Sequence, residues 1–273
     1  MPEPGTRLAV LGSPIGHSRS PELHRAAYAV LGLDWEYGRV EVDDAGLAGF
    51  LDGLGAAWRG LSLTMPLKRR VAELVPEVDE VARRTRQGNT ILLAGGRPVR
   101  AFNTDVHGIV AALAGAGRGT AAEATVLGGG ATAESAVLAL EQLGAEVTVA
   151  VRDVARVVAS GTFAGSRVVA LGPDADAALA GSDAVVSTIP PGAEFPVDLP
   201  ALQPRQTLLD VAYAPWPTPL AARWDAAGGT VVHGLEMLLH QAVHQVRIFV
   251  GGDPAAPLPD EQTVIKAMRA AVE

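Results

Sequence analysis

Cysteine is absent from the 273-residue sequence. This excludes disulfide bonds, thiolate zinc sites, iron–sulfur clusters and a cysteine nucleophile. Lysine is scarce as well, because only Lys68 and Lys266 of the 22 Lys and Arg residues are lysines and the other 20 are arginines. Charged residues make up 19% of the chain and apolar residues 48%, which argues against intrinsic disorder and a coiled coil. The composition predicts a compact globular protein.

The sequence also lacks a basic excess and long hydrophobic runs. Its formal net charge is −8 at pH 7, so we expect no nucleic acid as a partner, since phosphate binding needs clustered positive charge. No stretch approaches the roughly 18 uninterrupted apolar residues of a membrane span, and none is expected. The first residues show no basic segment ahead of an apolar run, so we expect no signal peptide and predict a cytoplasmic location.

Short apolar strands alternate with helical patterns along nearly the whole chain, which predicts an α/β fold built from βαβ units and parallel sheet. The length is enough for two domains. Strands are predicted at 7–12, 35–42, 60–65, 89–93 and 98–102, and helices at 20–31, 44–54 and 78–86. In the helix at 20–31, Ser20 is expected to be the N-cap and Pro21 the first-turn proline.

From about residue 124 the alternation becomes cleaner and predicts a doubly wound sheet, with glycine-rich residues 113–123 as the connection that precedes it. Its strands are predicted at ATVL, EVTVAV, RVVAL, AVVST, TLLDV and TVVHG. Gly144 is expected to end the helix between the first two strands. A long amphipathic helix follows Gly234, and a last helix is predicted near 260–272.

The first of these later strands leads into a glycine-rich turn and a helix. Gly128, Gly130 and Ala133 fit the GxGxxA pattern in the strand–turn–helix context that binds a dinucleotide pyrophosphate. About twenty residues further on, Val151 stands where an NAD-binding fold has an acidic residue, and Arg152 and Arg156 follow it, which favours the 2′-phosphate of NADP. Asp153 is interpreted as the cap of the following helix.

Four features of the first hundred residues each have a structural and a functional interpretation. Ser18 and Ser20 lie between a strand and a helix start, where hydroxyl and N–H groups would bind a carboxylate, although Ser20 alone could serve only as a cap. Thr64 ends a strand, and Lys68 follows a proline. Because arginine serves equally well in surface ion pairs, a rare lysine favours proton transfer at Lys68.

Two Asn-Thr pairs give the other two features. Asn89 begins one pair, and Asn103 begins the other, which is followed by Asp105. Asparagines near turns usually bind the backbone, and Asp105 would also serve as a helix N-cap, so the residue types leave both interpretations open. The i, i+4 pair His240 and His244 is a weak zinc candidate, since it lacks both the glutamate of HExxH and a third ligand, and no metal is expected.

Taken together, these residues closely resemble the shikimate dehydrogenase family. The matching motifs run collinearly over nearly the full chain: GSPIGHSRSPELH (12–24), LTMPLK (63–68), GNTI (88–91), FNTDVHG (102–108), VLGGGATAESA (126–136), VRDVAR (151–156), VVSTIPPG (185–192), YAPWPTPL (213–220) and GLEMLLHQA (234–242). The resemblance implies an N-terminal α/β substrate domain at 1–112, completed by C-terminal helices at 238–273. It also implies a doubly wound Rossmann NADP-binding domain at 113–237.

The resemblance further implies the role of each site residue. Ser18 and Ser20 would bind the substrate carboxylate, with Tyr213 assisting, and Lys68 would form the catalytic pair with Asp105. The residues implied to bind ring hydroxyls are Thr64, Asn89, Asp105 and Gln241. The residues implied to hold NADP are Gly128, Gly130 and Ala133 at the pyrophosphate, Arg152 and Arg156 at the 2′-phosphate, and Gly234 and Met237 beside the nicotinamide.

The implied activity is the reversible NADPH-dependent reduction of 3-dehydroshikimate to shikimate, a step of aromatic amino acid biosynthesis, by a monomer or homodimer. The chain departs from common family residues at Ser62, Arg25, Ala131 and 151–153, and the last of these bears on the NADP preference. A quinate or aminoshikimate dehydrogenase of the same fold is the nearest alternative. A silent nucleotide-sensing regulator is another, although the presence of both Lys68 and Asp105 speaks against it.

Overall fold

The computed structural model describes residues 5–190, 192–193, 198–199 and 201–273. The first four residues of the segment considered for a signal peptide, and residue 191 of the motif at 185–192, lie outside the described residues. The chain divides into two compact units, which we name unit 1, Met1–Thr104 with Gln241–Glu273, and unit 2, Asp105–His240. None of the described helices is both long and apolar enough to cross a bilayer.

Strands and helices alternate along the chain. Up to residue 104 they are β1 (Thr6–Gly12), α1 (Ser20–Val30), β2 (Trp35–Glu41), α2 (Leu47–Asp52), β3 (Trp58–Leu63), a 3-10 helix (Leu67–Arg69), α3 (Val71–Leu74), β4 (Glu77–Val78), α4 (Glu80–Thr85), β5 (Thr90–Ala94) and β6 (Arg97–Phe102). Then come α5 (Asp105–Gly115), β7 (Glu123–Leu127), α6 (Ala131–Gln142), β8 (Glu146–Val151), α7 (Val154–Ala159), β9 (Arg167–Ala170), α8 (Pro173–Gly181), β10 (Ala184–Ser187), β11 (Thr207–Asp210), α9 (Pro219–Ala226) and β12 (Thr230–His233). The last two helices are α10 (Gly234–Gly251) and α11 (Glu261–Ala270).

The sheet of unit 1 is mixed, with six strands in the order β2-β1-β3-β5-β6-β4. β1 pairs in parallel with β2 and β3, but β5 is antiparallel to both β3 and β6. The α/β fold with parallel strands is confirmed for β1, β2 and β3 and for the pair β4–β6, but the prediction of parallel sheet was wrong for β5. Gly95 and Gly96, both at positive φ, join β5 to β6 in a tight hairpin, whereas a parallel connection needs a long crossover.

The apolar core of unit 1 packs against β1, β3 and β5 and holds these strands in place. Its fully buried members include Leu11 on β1, Leu61 on β3 and Ile91 on β5. The C-terminal half of α10 packs closely on the same sheet, since a Cβ on Gly60 would lie 2.3 Å from the ring of Phe249. A side chain at position 60 would push α10 away from β3.

The sheet of unit 2 is entirely parallel, in the order β12-β11-β10-β7-β8-β9, which confirms the predicted doubly wound sheet. The chain order reverses between β7 and β10, and this is the point at which open α/β sheets bind ligands. Both faces of the sheet are covered, so β10 and β11 are buried along their full length. Gly144 follows α6 at positive φ, as predicted for a helix end.

Some local predictions were wrong. Ser20 is not the N-cap of α1, because Arg19 holds that position and Ser20 is the first helical residue. Pro21 does lie in the first turn, as predicted. The helix therefore begins one residue earlier than the Ser20-Pro21 pattern indicated. α8 was missed between two short apolar strands, since its small residues show hardly any apolar stripe. The turns after Pro66, the 3-10 helix and α3, were also not expected.

His24 on α1 is fully buried, and its ring stacks on Tyr37 with centroids 4.0 Å apart. Its Nδ1 lies 2.9 Å from the carbonyl oxygen of Ser20, while its Nε2 has no hydrogen-bond partner among the described residues. Burial lowers the pKa of His24 from 6.5 to about 4, only partly opposed by the Ser20 carbonyl. The ring is therefore neutral in the folded protein near pH 7.

We expect His24 to make folding acid-sensitive. Between pH 6.5 and about pH 4 the unfolded chain binds a proton on this histidine that the folded protein does not, so the free energy of unfolding falls as pH falls. His24→Phe should remove about 2 to 3 kcal/mol of that fall, measured by urea unfolding at several pH values. His17→Gln, at an exposed histidine, is the matched control and should keep the wild-type slope. Equal slopes in wild type and His24→Phe would contradict the assignment.

Candidate active site

A buried polar cluster lies in unit 1 where β5 begins and β6 ends. Asn89 precedes β5, Thr104 follows β6, and Gln241 comes from α10. The Asn89 Nδ2 donates to the Thr104 Oγ1 at 2.9 Å and to the Gln241 Oε1 at 3.3 Å. All three side chains are at most 5% exposed. Two predicted hydroxyl-binding residues, Asn89 and Gln241, are thus brought together.

The amide of Asn89 has one orientation that satisfies its neighbours. Its Oδ1 accepts a hydrogen bond from the backbone N–H of Thr104 at 2.9 Å and another from the hydroxyl of Thr90 at 2.8 Å. A flipped amide would place N–H groups against the Thr104 N–H. The Nδ2 of Asn89 therefore faces Gln241, whose own carbonyl oxygen receives it. The backbone-binding interpretation of Asn89 is correct for its oxygen, and its nitrogen faces the cluster.

Lys68 is held close to this cluster by its main chain. The backbone N–H of Gly88 donates to the carbonyl oxygen of Lys68 at 2.8 Å, and Gly88 immediately precedes Asn89. The 3-10 helix places Lys68 one turn after Thr64, whose carbonyl oxygen accepts the N–H of Leu67. Both Thr64 and Lys68 are partly exposed, unlike the cluster beside them.

Ser18 and Ser20 lie at the start of α1 and are 8% and 5% exposed. Arg39 on β2 holds their loop, because its Nε and Nη2 bind the Ser18 carbonyl oxygen at 2.8 and 2.5 Å. Arg39 also forms an ion pair with Glu22 at 2.7 Å. Arg39 was not predicted from the sequence, in which it is one arginine within a predicted strand.

In unit 2, the glycine-rich turn follows the first strand of the doubly wound sheet. Gly128 has φ +110°, and a Cβ there would lie 2.5 Å from the Thr188 hydroxyl, so a side chain at this position would be both strained and crowded. Gly130 caps α6, and no described atom lies within 4 Å of where its Cβ would be. Ala133 is fully buried under the turn. The protein itself therefore leaves open the space above Gly130, at the N-terminus of a 12-residue helix.

The two arginines of the predicted phosphate site follow β8, Arg152 directly after the strand and Arg156 on α7. Arg152 and Arg156 are both exposed, and Val151 before them is buried. Asp153 caps α7, with its carboxylate accepting the backbone N–H of Arg156 at 2.9 Å, which confirms the predicted cap. This bond fixes the Asp153 carboxylate at the helix start.

Tyr213 lies on a loop that Asp210 closes. The Asp210 carboxylate accepts the N–H of Ala212 at 3.2 Å and the hydroxyl of Thr218 at 2.5 Å. Burial raises the pKa of Asp210, and the Thr218 hydroxyl opposes that rise. Asp210 was not predicted from the sequence, although a carboxylate directly at the end of a buried strand is a recognisable signal.

Gly234, Met237 and Asp105 also belong to unit 2. A Cβ on Gly234 would lie 2.5 Å from the Val211 carbonyl oxygen, so the Tyr213 loop requires a glycine where α10 begins. Met237 is buried one turn later. Asp105 is the buried first residue of α5 and directly follows Thr104 in the chain.

The histidines considered for zinc do not belong to a metal cluster. His240 lies 3.9 Å from Glu236, and His244 lies 3.2 Å from Arg247. Within the part of the chain that the structure describes, no group of three or more His, Asp or Glu side chains is arranged to hold a metal ion.

The second unit has the strand order and the glycine turn of a dinucleotide-binding domain, and the first unit is an α/β domain with a buried polar cluster beside a lysine. This combination is typical of two-domain, nucleotide-dependent oxidoreductases. Residues 10–91 match the family model described as the shikimate dehydrogenase substrate binding domain.

Known proteins resemble the chain over nearly its whole length. A curated shikimate dehydrogenase (NADP(+)) from Caulobacter vibrioides is 34% identical over 95% of this chain and 94% of its own. The crystal structure of Mycobacterium tuberculosis shikimate dehydrogenase is 40% identical with a TM-score of 0.81, covering 97% and 99% of the two chains. A Thermus thermophilus structure in complex with NADP(H) and shikimate is 32% identical with a TM-score of 0.83, covering 97% and 99%. The chain belongs to the shikimate dehydrogenase family.

Proposed function

We propose that this protein catalyses the reversible NADPH-dependent reduction of 3-dehydroshikimate to shikimate, a step of aromatic amino acid biosynthesis. The observation that carries the proposal is the buried Asn89–Thr104–Gln241 cluster with Lys68 held beside it through Gly88. Its amide and hydroxyl groups suit a ligand with several hydroxyl groups. Family membership and the NADP(+) names of the relatives support the same activity.

Bound NADPH would supply the hydride for the C3 ketone. In the reducing direction, the Lys68 ammonium group would donate a proton to the oxygen that becomes the hydroxyl, and in the oxidising direction the amine would accept it. Asp105 would stabilise the charged lysine and orient it. Asp105 directly follows Thr104, so the chain that completes the polar cluster also carries the acid.

The remaining side chains of unit 1 would hold the substrate. Ser18 and Ser20, fixed by Arg39, would bind the carboxylate, with Tyr213 of unit 2 assisting. The hydroxyl groups of the ring would be bound by Thr64, Asn89, Asp105 and Gln241. Each of these side chains offers a hydrogen-bonding group of the type that a hydroxyl needs.

The residues of unit 2 fit a dinucleotide. The open space above Gly130 would let a pyrophosphate approach the α6 N-terminus, with Gly128 and Ala133 completing the turn. Arg152 and Arg156 would bind the 2′-phosphate. Gly234 and Met237 would lie beside the nicotinamide.

The proposal assigns the substrate domain to 1–112 with 238–273 and the NADP domain to 113–237, close to the division into units 1 and 2. It includes a cytoplasmic location and a monomer or homodimer as the working form. Light scattering on the purified protein measures its oligomeric state.

The proposal is tested by following NADPH absorbance with the purified protein. We expect NADP+ to be the preferred cofactor, because Arg152 and Arg156 suit its 2′-phosphate. We expect shikimate to be oxidised and quinate to be a poorer substrate, because the family relatives carry the shikimate name. Faster turnover of quinate would favour the alternative dehydrogenase. NADPH binding without any turnover would favour the regulator.

Lys68→Ala is expected to lower kcat by about two to four orders of magnitude, because a general acid–base group typically contributes that much. The shikimate KM should stay nearly unchanged, as should the binding of NADPH, followed by the fluorescence of its reduced nicotinamide. Lys266→Ala changes the other lysine, on α11, and is the matched control. A large rise in the shikimate KM with kcat intact would instead assign Lys68 to binding.

Arg152→Gln and Arg156→Gln are expected to raise the NADP+ KM by about 10- to 100-fold each, since a hydrogen bond to a charged group contributes about 1.5 to 3 kcal/mol. The NAD+ KM should hardly move, because NAD+ has no 2′-phosphate. Arg167→Gln, an exposed arginine on the neighbouring strand β9, is the control. Parallel losses with both cofactors would place these arginines outside the phosphate site.

A further inference from the structure

A chain of buried hydrogen bonds runs from β2 to the amide of Asn89. The Tyr37 hydroxyl donates to the Ser62 Oγ at 2.6 Å, and the Ser62 hydroxyl donates to the Gln245 Oε1 at 2.7 Å. The Gln245 Nε2 donates to the Thr90 Oγ1 at 3.0 Å, and the Thr90 hydroxyl donates to the Asn89 Oδ1 at 2.8 Å. These five side chains are at most 3% exposed.

One backbone carbonyl group fixes the donor and acceptor of each hydrogen bond in this series of side chains. The Gln245 Nε2 lies 3.2 Å from the carbonyl oxygen of Asn89, which is an acceptor only, so the nitrogen of Gln245 and not its oxygen faces that side. Because the Thr90 Oγ1 accepts from Gln245, its single proton is directed to the Asn89 Oδ1. Gln245 thus orients Asn89 twice, through its backbone carbonyl and through Thr90.

Gln245 lies one helical turn after Gln241 on α10, so both glutamines reach the same cluster from the same side of the helix. Gln241 contacts the amide nitrogen of Asn89, and Gln245 acts on its oxygen end. The close packing of α10 on Gly60 keeps this face against β3 and β5.

We propose that Gln245 is a positioning residue which, through Thr90, holds the Asn89 amide with its nitrogen towards the substrate. This inference rests on the proposed function, since it assigns Asn89 to a substrate hydroxyl. Gln245 acts through Asn89 and not on the reacting atoms, so it should set the affinity for the ring hydroxyl and leave the proton transfer at Lys68 unchanged.

The test compares steady-state kinetics of the full-length wild type with those of Gln245→Met and Thr90→Val. Each variant keeps the approximate side-chain volume and removes the directed proton. We expect the shikimate KM to rise about 3- to 10-fold, the effect of one neutral hydrogen bond, while kcat changes less than about 2-fold. The NADP+ KM should stay at the wild-type value. Thr90→Ser restores the hydroxyl and should restore the KM.

Gln206→Met is the matched control. Gln206 is a buried glutamine of unit 2 whose Nε2 donates to backbone carbonyls at 3.1 Å, so its loss costs a comparable set of hydrogen bonds. It should lower thermal stability about as much as Gln245→Met and leave the shikimate KM unchanged. If Gln206→Met loses stability but keeps the shikimate KM, a higher KM in Gln245→Met is not caused by lower stability alone.

Gln245→Glu adds a pH profile. A protonated glutamic acid can donate to Thr90 and accept from Ser62, whereas the carboxylate would face the Asn89 carbonyl oxygen, so its shikimate KM relative to wild type should rise with pH. The other ionisable groups here are Tyr37 and His24, which burial keeps neutral near pH 7, and Arg59, which binds the Phe249 carbonyl oxygen from β3. Tyr37 and His24 therefore stay neutral through the assay.

The outcomes separate the two proposals. If wild type does not oxidise shikimate, the proposed function is wrong. If wild type is active and Gln245→Met and Thr90→Val keep its shikimate KM, the positioning role is wrong, as it is if the NADP+ KM rises equally. If Gln245→Met does not fold, Thr90→Val and the pH profile of Gln245→Glu decide the question in the same way.

Discussion

The orientation of one buried amide, that of Asn89, is the constraint around which unit 1 is built. An amide has a donor end and an acceptor end, and a buried one that faces the wrong partners costs the desolvation of each unmatched group. Here the Thr104 N–H and the Thr90 hydroxyl both point at its oxygen. β5 leaves from this residue, and the antiparallel hairpin to β6 returns the chain to Thr104 beside it. The mixed sheet is therefore what brings the two partners of the amide together.

Unit 2 depends on a different constraint, the close approach of backbone segments at the carboxyl ends of its strands. A Cβ on Gly128 would meet the Thr188 hydroxyl, and one on Gly234 would meet the Val211 carbonyl oxygen. β7, β11 and β12 all run in the same direction, so the turns that follow them lie at one edge of the sheet. Glycine at two of these turns lets the loops pack together while the space above Gly130 stays open for a ligand.

The sequence predicts unit 2 better than unit 1 for a physical reason. A parallel strand covered on both faces is a continuous apolar run, and the helices between such runs are easy to recognise, so the doubly wound order was predictable. Strand direction in unit 1 depends on the two-residue glycine turn before Arg97, a small signal among many glycines. The motifs predicted site roles for Asn89 and Gln241. The roles of Gln245 and Arg39 could not be predicted, because they depend on which side chains meet in the folded protein. On a helix or a strand alone, a glutamine or an arginine is an ordinary solvent-facing residue.

The buried hydrogen-bond chain also bears on selectivity. A site whose amide is already held in one orientation loses little on binding the correct hydroxyl, whereas a ligand that lacks this hydroxyl gives the oriented amide no partner in its place. The donors in this chain run in one direction, from Tyr37 to the oxygen of Asn89, so the amide cannot turn to suit a different ligand without breaking several bonds. Such a network is stable only when every member is satisfied. Rigid amide orientation, rather than any additional contact, is thus the means by which unit 1 would distinguish one polyhydroxylated ring from another.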